Sequence, residues 1–324
     1  MTVQISEKEL KSAAAGVGID LIGVVPEYRL DPIEIERLRN WQESGFAGEM
    51  DYLLRNPEER GDPSRFVPGV STILIFAIPY RALPKKPLPT GYGRVARYAL
   101  GRDYHRAIKK RLQKLKTHIS GTDRAVWRPI SDSFPILERA YAQKSGLGFI
   151  GKNTMLIRKT MGSFFFLGEV LTDIKIVMEK PHLPVVRENC GTCNRCIRAC
   201  PTGAFPSPHT LDARKCISYL TIEKRTQFSE SESDALGEWL FGCDICQEVC
   251  PFNHTRLKAD TESVWDVFEG TEDLLEITHL FSLQTENQFK EHFKGRAILR
   301  AGREGLLRNA LAVLKNTSAE SAFA

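Results

Sequence analysis

Eight cysteines arranged in two groups constrain this chain more than any other feature of its sequence. The first group has the spacing Cys-x2-Cys-x2-Cys-x3-Cys-Pro, which in bacterial ferredoxins binds one 4Fe-4S cluster through three cysteines and a neighbouring cluster through the fourth. The second group repeats this spacing, except that Cys216 lies 27 positions before Cys243. Crossed ligation of this kind predicts two complete ligand sets with no cysteine left over: Cys190, Cys193, Cys196 and Cys250 for one cluster, and Cys200, Cys216, Cys243 and Cys246 for the other.

Disulfides and zinc are the alternative uses of such cysteines. The N-terminus has no basic segment followed by an apolar one, no twin arginine is present, and no apolar run reaches about 18 residues. We therefore expect a cytoplasmic protein without a membrane span, where thiols stay reduced. Zinc sites also use Cys-x2-Cys pairs, but four cysteines within eleven residues ending in Cys-Pro, followed by a complementary second run, favour clusters.

The composition is that of a globular protein with two or three domains, with 324 residues of which 42% are hydrophobic and 26% charged. Residues 1–180 alternate helical and extended patterns and predict an α+β domain, with a buried strand over Ser71–Tyr80 and a basic amphipathic helix over Tyr104–Thr117. The basic residues of that helix are typical of a solvated face. The formal charge of +5 falls to roughly +1 with two clusters bound, so net charge does not indicate nucleic acid.

Three further patterns concern local structure. Residues 133–145 predict a helix that ends at Gly146, and the segments GFIGKNTMLI and SFFFLGEVLTDI predict paired strands. Pro181–Arg187 is typical of a linker. From Leu274 onward the chain has helical periodicity.

Two clusters imply a relay for single electrons, but their acceptor is not visible in the spacing. No GxGxxG follows a predicted strand and no P-loop is present, so nicotinamide and nucleoside-triphosphate chemistry have no support. The segments GRVARYALGRDYHRAIKKRL, SDSFPILERAYAQKSGLGFIGKNTMLI, CGTCNRCIRACPTGAF, CISYLTIE and FGCDICQEVCPFN closely resemble the epoxyqueuosine reductase family of cobalamin-dependent enzymes. The resemblance covers roughly residues 5–315. Its most specific parts are the gap between Cys216 and Cys243, the Asp-Tyr-His at 103–105 and the Gly-Lys-Asn-Thr at 151–154.

The resemblance implies a fold and a function. It implies a nitroreductase-like cobalamin-binding domain at 1–180, a ferredoxin-like domain with two 4Fe-4S clusters at 181–260, and a short helical-repeat segment at 261–324. The implied reaction converts epoxyqueuosine to queuosine at the wobble position of tRNA, which takes two electrons and two protons. The implied partners are the tRNA anticodon loop and an external low-potential electron donor, and we expect a monomer.

The family match also implies site residues. Asp132 matches the proton donor, and burial between corrin and substrate is expected to raise its pKa. The alternative is a helix N-cap before Pro135. The positions that match cobalamin contacts are Arg60, Ala96, Asp132, Lys152, Asn153 and Ser218. Ordinary alternatives are a surface ion pair for Arg60, a turn residue for Asn153 and a local cap for Ser218.

Basic residues are the candidates for binding tRNA phosphates. The spacing of Arg296, Arg300 and Arg303 places them on one face of a predicted C-terminal helix, although a solvated face remains an alternative. The full set of candidates is Lys224, Arg225, Arg296, Arg300, Arg303 and Arg308.

Two other functions stay open from the residues. A corrinoid reductase of the reductive dehalogenase type would combine the same cofactors, although exported dehalogenases carry a twin-arginine signal. A non-catalytic electron carrier would not need 180 residues before its clusters, and a cobalamin chaperone would not need the clusters.

Overall fold

The computed structural model describes residues 3–80, 86–119, 121–179, 189–258 and 273–321. The linker predicted at Pro181–Arg187 lies outside these ranges, as do parts of the predicted domain boundaries. The strands within them are β1 (Gln4–Ser6), β2 (Leu21–Val25), β3 (Thr72–Pro79), β4 (Tyr92–Val95), β5 (Trp127–Ile130), β6 (Phe149–Ile150), β7 (Leu156–Ile157), β8 (Phe165–Thr172), β9 (Lys175–Val177), β10 (Trp239–Phe241) and β11 (Leu274–Glu276).

The helices carry most of the remaining chain, together with short 3-10 turns. They are α1 (Glu7–Ala15), α2 (Pro32–Glu43), α3 (Tyr104–Lys116), α4 (Glu138–Lys144), α5 (Arg195–Ala199), α6 (Ile217–Ile222), α7 (Glu230–Ala235), α8 (Ile245–Glu248), α9 (Pro251–Lys258), α10 (Ile277–Ser282), α11 (Glu286–His292) and α12 (Gly302–Ser321).

The main sheet is antiparallel, with the strand order β2-β3-β8-β5. Its central strand β3 confirms the strand predicted from the apolar run, and it is buried on both faces because alternate residues enter different cores. Leu74 and Phe76 pack with α1 and α3, whereas Ile73 and Ile75 pack with α4. Helices therefore cover both faces of the sheet, and α3 and α4 hold their N-terminal ends near the same edge of it.

A second sheet joins distant parts of the chain. Its strand order is β10-β4-β11, with β10 parallel and β11 antiparallel to β4. One strand comes from each of the three predicted domains, so these segments share a sheet and a core. That core contains Val95, Phe241 and Ile277 together with α11 and α12.

Two local predictions are wrong. The helix predicted over 133–145 begins only at Glu138, because residues 132–136 form bends that lead into α4. The two segments predicted to pair as strands do not pair with each other. β6 and β7 form a short hairpin within the first segment, while β8 pairs with β3 and β5.

The predicted helical face of Arg296, Arg300 and Arg303 is also absent. Residues Ala297–Ala301 form a 3-10 helix, and α12 starts at Gly302, whose φ of 70° breaks the helical path. The three arginines therefore do not project from one α-helix.

Candidate active site and cluster ligands

Four cysteines line one cavity, and they are the four that the spacing assigns to the first cluster. Cys190, Cys193, Cys196 and Cys250 lie around it with Asn153 and Phe252 among its other lining residues. Cys250 is brought to the first run because Phe252 packs edge-on against Phe149 of the β6–β7 hairpin. This grouping supports the crossed assignment for the first cluster.

The other four cysteines are also mutual neighbours. Burial raises the pKa of Cys246, and the nearby Cys216, Asp244, Cys196 and Cys200 add to the effect, so Cys246 also lies near one cysteine of the first set. Backbone N–H groups of Tyr219 and Ser218 donate to the Cys216 sulfur at the start of α6. The N–H of Ala204 donates to the Cys200 sulfur at a distance of 3.4 Å. Amides directed at sulfur stabilise thiolate ligands and tune the potential of a cluster.

Within the described ranges, which include all eight cysteines, no group of three or more Cys, His, Asp or Glu side chains converges on one point.

A buried ion network fastens the cluster segment to the first part of the chain. The guanidinium of Arg97 contacts Asp244 at 3.0 Å and Glu248 at 2.6 Å, and the backbone N–H of Arg97 donates to Asp244. Asp244 is 1% exposed and lies between two cysteines of the second cluster set. This network places that set directly against the residues that follow β4.

Asp132 lies in an open position between β5 and α4. Its side chain is 60% exposed and its φ is 55°, a left-handed conformation that is uncommon for a residue other than glycine. The hydroxyl of Tyr104 donates to Oδ2 of Asp132 at 3.0 Å, and Nε2 of His105 lies 3.0 Å from the same oxygen. The helix-cap alternative is wrong, because the N-cap of α4 is Leu137.

The neighbours of Asp132 decide its charge. Burial works to raise the pKa of Asp132, but the hydrogen bond and positive charge of His105 outweigh it and hold the pKa below its usual value. The groups that the protein itself supplies therefore lower this pKa, and the rise expected on burial between corrin and substrate stays a prediction. At neutral pH Asp132 is an anion paired with a cation.

His105 is the group that retains a proton. Burial lowers its pKa, but hydrogen bonds to Asp103 and Asp132 outweigh burial and raise the pKa to about 9. Nδ1 of His105 lies 2.6 Å from Oδ1 of Asp103, which also caps α3. Tyr104 stacks between His105 and Phe166 of β8, with ring centroids 4.1 Å and 4.3 Å away. The packing therefore fixes the imidazole against Asp132.

The residues predicted to contact cobalamin lie in two places. Lys152 and Asn153 lie beside the first cluster set. The Lys152 N–H donates to the Cys190 sulfur, its ammonium donates to Gly191 O at 2.8 Å, and Asn153 lines the cavity of the cysteines. Ala96 is buried, with its N–H bonded to Phe241 O. Ser218 is the second residue of α6 and not its cap.

Arg60 differs from the ordinary alternative proposed for it. Its side chain is buried and forms no ion pair within the described residues, so it is not a surface ion pair. One guanidinium nitrogen donates to Tyr52 O at 2.6 Å, but Nε has no hydrogen-bond partner there. A buried cation with an unused donor fits a polar or anionic ligand group.

Comparisons with known proteins address identity. A family model described as a 4Fe-4S double cluster binding domain matches residues 189–253, and one described as epoxyqueuosine reductase QueG, DUF1730, matches residues 60–133. A curated epoxyqueuosine reductase of Leadbetterella byssophila is 37% identical over 303 residues, which are 93% of this chain and 96% of the relative. This chain belongs to the epoxyqueuosine reductase family. It is thus an oxidoreductase, and its family uses cobalamin and 4Fe-4S clusters.

Solved structures of epoxyqueuosine reductases have the same fold. One, in complex with an epoxyqueuosine-modified tRNA-Tyr stem loop, has a TM-score of 0.85 and 28% identity, covering 98% of this chain and 82% of that one. Another, from Bacillus subtilis, has its catalytic aspartate loop swung out of the active site. It has a TM-score of 0.83 and 28% identity, covering 98% of this chain and 82% of that one. The match confirms a mixed helix and sheet fold with a double-cluster domain.

Most cations predicted to bind tRNA in this member of the epoxyqueuosine reductase family are engaged within the protein. Lys224 lies near Glu232, Arg225 donates to Ala301 O and Arg300 O, and Arg308 donates to Lys224 O and Thr226 O. Arg303 donates to Leu283 O. These contacts connect the C-terminal helices to α6 and the segment after it.

Arg296 and Arg300 are held differently from the rest of the set. Arg296 packs over Phe293, and its Nε and Nη2 are buried without a partner among the described residues. Arg300 pairs with Glu223 through both nitrogens of its fork but is 55% exposed. Asp132, Glu223 and Arg300 all influence the pKa of Tyr52, which burial chiefly raises. Arg300 also lies over the ring of Tyr52, 5.8 Å from its centroid.

Sequence reasoning missed the roles of several residues around Asp132. The Asp-Tyr-His motif at 103–105 was visible as a specific part of the resemblance, but no role at the site was expected for it. Its contact with Asp132 was not predictable because it depends on how α3 meets β5. Glu138 and Glu169, which lie beneath Asp132, carried no signal in the sequence. Within the described residues, no helix is long and apolar enough to cross a bilayer.

Proposed function

We propose that this chain reduces epoxyqueuosine to queuosine in tRNA. The two carbon–oxygen bonds of the epoxide break, a carbon–carbon double bond forms, and the oxygen leaves as water after the uptake of two electrons and two protons. The observation that carries the proposal is the accessible Asp132 carboxyl, held by His105 and Tyr104 in a chain whose first cysteine set lines one cavity. The reaction is that of the family to which the chain belongs.

Electrons enter through the two clusters from an external donor of low potential. Cobalamin, when bound, supplies a centre that stores two electrons delivered one at a time. Arg97 holds the second cysteine set against the residues after β4, and Lys152 holds the first set against the β6–β7 hairpin. These contacts would hold both clusters against the domain that contains Asp132.

Protons pass through Asp132. We propose that Asp132 takes a proton from the His105 imidazolium and delivers it to the epoxide oxygen, because Oδ2 already accepts from Nε2 of His105. Asp103 contacts the other ring nitrogen and stabilises the cationic form. Since the product water needs two protons, a resupplied acid suits the reaction better than an isolated carboxyl.

Arg60 supports cobalamin binding. Its Nε is a buried donor without a partner among the described residues, next to Tyr52. Arg60 lies near the Asp132 loop, because its backbone carbonyl accepts the N–H of Leu137 at the end of that loop. A cobalamin carries amide and phosphate oxygens that accept such donors. Asp132 and Ser218 are further proposed contacts of the cobalamin, while Ala96, Lys152 and Asn153 would contribute through the backbone and loop positions described above.

The tRNA backbone is proposed to cross the surface next to Asp132. One crystallised relative contains an epoxyqueuosine-modified stem loop, which supports tRNA as the substrate of this chain. Arg300 borders the site from the C-terminal side. The first turns of α3 border it from the other side, because Lys109 donates to Ser133 Oγ and the exposed Arg106 and Lys110 form no ion pair within the described residues.

We also propose the finer organisation. Residues 1–180 would form a nitroreductase-like cobalamin-binding domain, 181–260 a ferredoxin-like domain and 261–324 a helical-repeat segment. The four-stranded sheet covered by helices on both faces supports the first, the match to a double-cluster domain the second, and α10–α12 the third. A monomer in the cytoplasm fits these features.

The test is a single-turnover reaction with anaerobically reconstituted protein, cobalamin, excess reductant and an anticodon stem loop that carries epoxyqueuosine. Mass spectrometry of the nucleoside should show queuosine, and omission of cobalamin should abolish it. Formation of queuosine without cobalamin, or no queuosine with both cofactors bound and reduced, would contradict the proposal.

A further inference from the structure

Glu169 is a carboxyl group without a compensating charge. It lies in the middle of β8, opposite Ile75 of β3 and Ile130 of β5, and it is 0% exposed. Neither of its carboxyl oxygens accepts a hydrogen bond from a donor in the described ranges. An ionised carboxylate in such a place would be strongly destabilising, so the group needs a proton.

The group nearest to Glu169 is another carboxyl. The carboxyl of Glu138 at the start of α4 lies close enough to Glu169 to interact with it, and two carboxyl groups can share a hydrogen bond only when one of them is protonated. Oε1 of Glu138 also accepts the backbone N–H of Asp132. A continuous path therefore runs from the buried strand through Glu138 to the backbone of the proposed acid.

The backbone of Asp132 needs a hold of this kind. A residue with a side chain keeps a φ of 55° only where its surroundings determine the conformation. The Asp132 side chain is tied to Tyr104 and His105, but its main chain is tied through Glu138. If Glu138 turned away, the Asp132 loop would lose this acceptor.

We propose that Glu169 and Glu138 share one proton at neutral pH, and that this proton positions the Asp132 loop for the reaction. Glu169 is thus a positioning residue that acts through Glu138, and the inference rests on the proposed role of Asp132. The loop over 131–136 keeps its conformation while the proton is present and is released when the proton is lost.

The charges around the pair set its response to pH. Burial raises the pKa of Glu138 to about 8 and that of Glu169 well above its usual value. The charge of Asp132 adds repulsion, while the N–H of Asp132 and the charge of Arg139 favour the ionised form of Glu138. His105 and Tyr104 face Asp132 from α3 and do not neutralise Glu169. Loss of the proton leaves three neighbouring carboxylates, so the hold should weaken near and above pH 8.

The first experiment detects the proton without activity, cobalamin or RNA. Infrared spectra of the cluster-loaded protein at pH 7 should show a buried carboxylic acid band that is absent from Glu169→Gln and disappears from the wild type as the pH rises above about 8. Glu138→Gln provides the same comparison from the other side of the pair. A wild-type spectrum without a protonated acid at pH 7 would overturn the inference.

The second experiment follows the loop. Glutamine at 169 keeps the shape and donates an N–H to Glu138 but cannot ionise. Hydrogen exchange of residues 131–136, corrected for intrinsic rates, should therefore speed up about tenfold in the wild type between pH 7 and 9 and stay constant in Glu169→Gln. Glu169→Leu removes the donor and should exchange fast at every pH. The same pH dependence in the wild type and Glu169→Gln would refute the positioning role.

Thermal unfolding gives a pH dependence of the Tm difference that replacing an exposed carboxyl would not give. Because the folded pKa of each carboxyl is above its unfolded value, the wild type loses stability as pH rises through the folded pKa. The Tm of Glu169→Gln relative to wild type should therefore increase between pH 5 and pH 8, whereas exposed Glu9→Gln should show no such trend. If the acid band and the loop behaviour are found while Asp132→Asn stays active, the shared proton of Glu138 and Glu169 is supported and Asp132 is not the proton donor.

Discussion

Replacing Asp103 with asparagine should lower the pKa of His105 and move the alkaline limit of the reaction with it. The two carboxylates raise this pKa from 6.5 to about 9, which corresponds to about 3 kcal/mol in favour of the imidazolium. Asp103 contributes the larger part, because its contact is 2.6 Å against 3.0 Å for Asp132 and its side chain is 29% exposed against 60%. We therefore expect a His105 pKa of about 7 to 7.5 in Asp103→Asn.

The assay is a titration of the imidazole by NMR in histidine-labelled, anaerobically reconstituted protein, with His105→Gln to assign the resonance. Because the pKa of His105 is raised in the folded protein, the stabilisation by Asp103 is complete below pH 6.5. It is lost as the pH rises through about 9. Single-turnover rates of wild type and Asp103→Asn should thus agree within about twofold at pH 6 and differ several-fold at pH 8.5.

Asp123→Asn is the matched control, since it removes one carboxylate from an exposed loop. It should change neither the His105 pKa nor the pH profile. A wild-type His105 that titrates near 6.5, or a value unchanged in Asp103→Asn, would refute the relay from Asp103 through His105.

Three further outcomes are expected. Asp132→Asn should keep both clusters and bind cobalamin but lose about a hundred-fold to ten-thousand-fold in single-turnover rate, because the amide has no transferable proton, and near wild-type product formation would remove Asp132 from the mechanism. Chemical analysis of the wild type should find close to eight irons and eight labile sulfides, and about two zinc ions without sulfide would contradict the ligand sets. Cys216→Ala should damage only the cluster shared with Cys200. Stem-loop binding should weaken steeply with salt. Lys110→Glu should reduce the slope of log binding constant against log salt concentration by about 1, whereas Lys294→Glu should not change it. An equal effect of the two variants would place the RNA elsewhere.

The cysteine pattern shows what a sequence can determine by itself. Cluster ligation depends on short spacings and on a Cys-Pro ending, which are local properties, and the predicted first set lies around one cavity. The apolar run over Ser71–Tyr80 was equally informative, because a strand buried on both faces needs apolar residues at every position. The resemblance to a known family added Asp132, which no local rule separates from a helix cap.

The charges and contacts of the site were decided by tertiary structure. The helix cap was excluded because α4 starts at Glu138, and the pKa of Asp132 is lowered because α3 brings His105 to it from 27 positions away. Gly302 separates Arg300 from α12, which a count of helical spacing did not show. Electrostatic effects depend on distance in space and on burial, so a carboxyl such as Glu169 reveals its proton only when the strands and helix around it are in place.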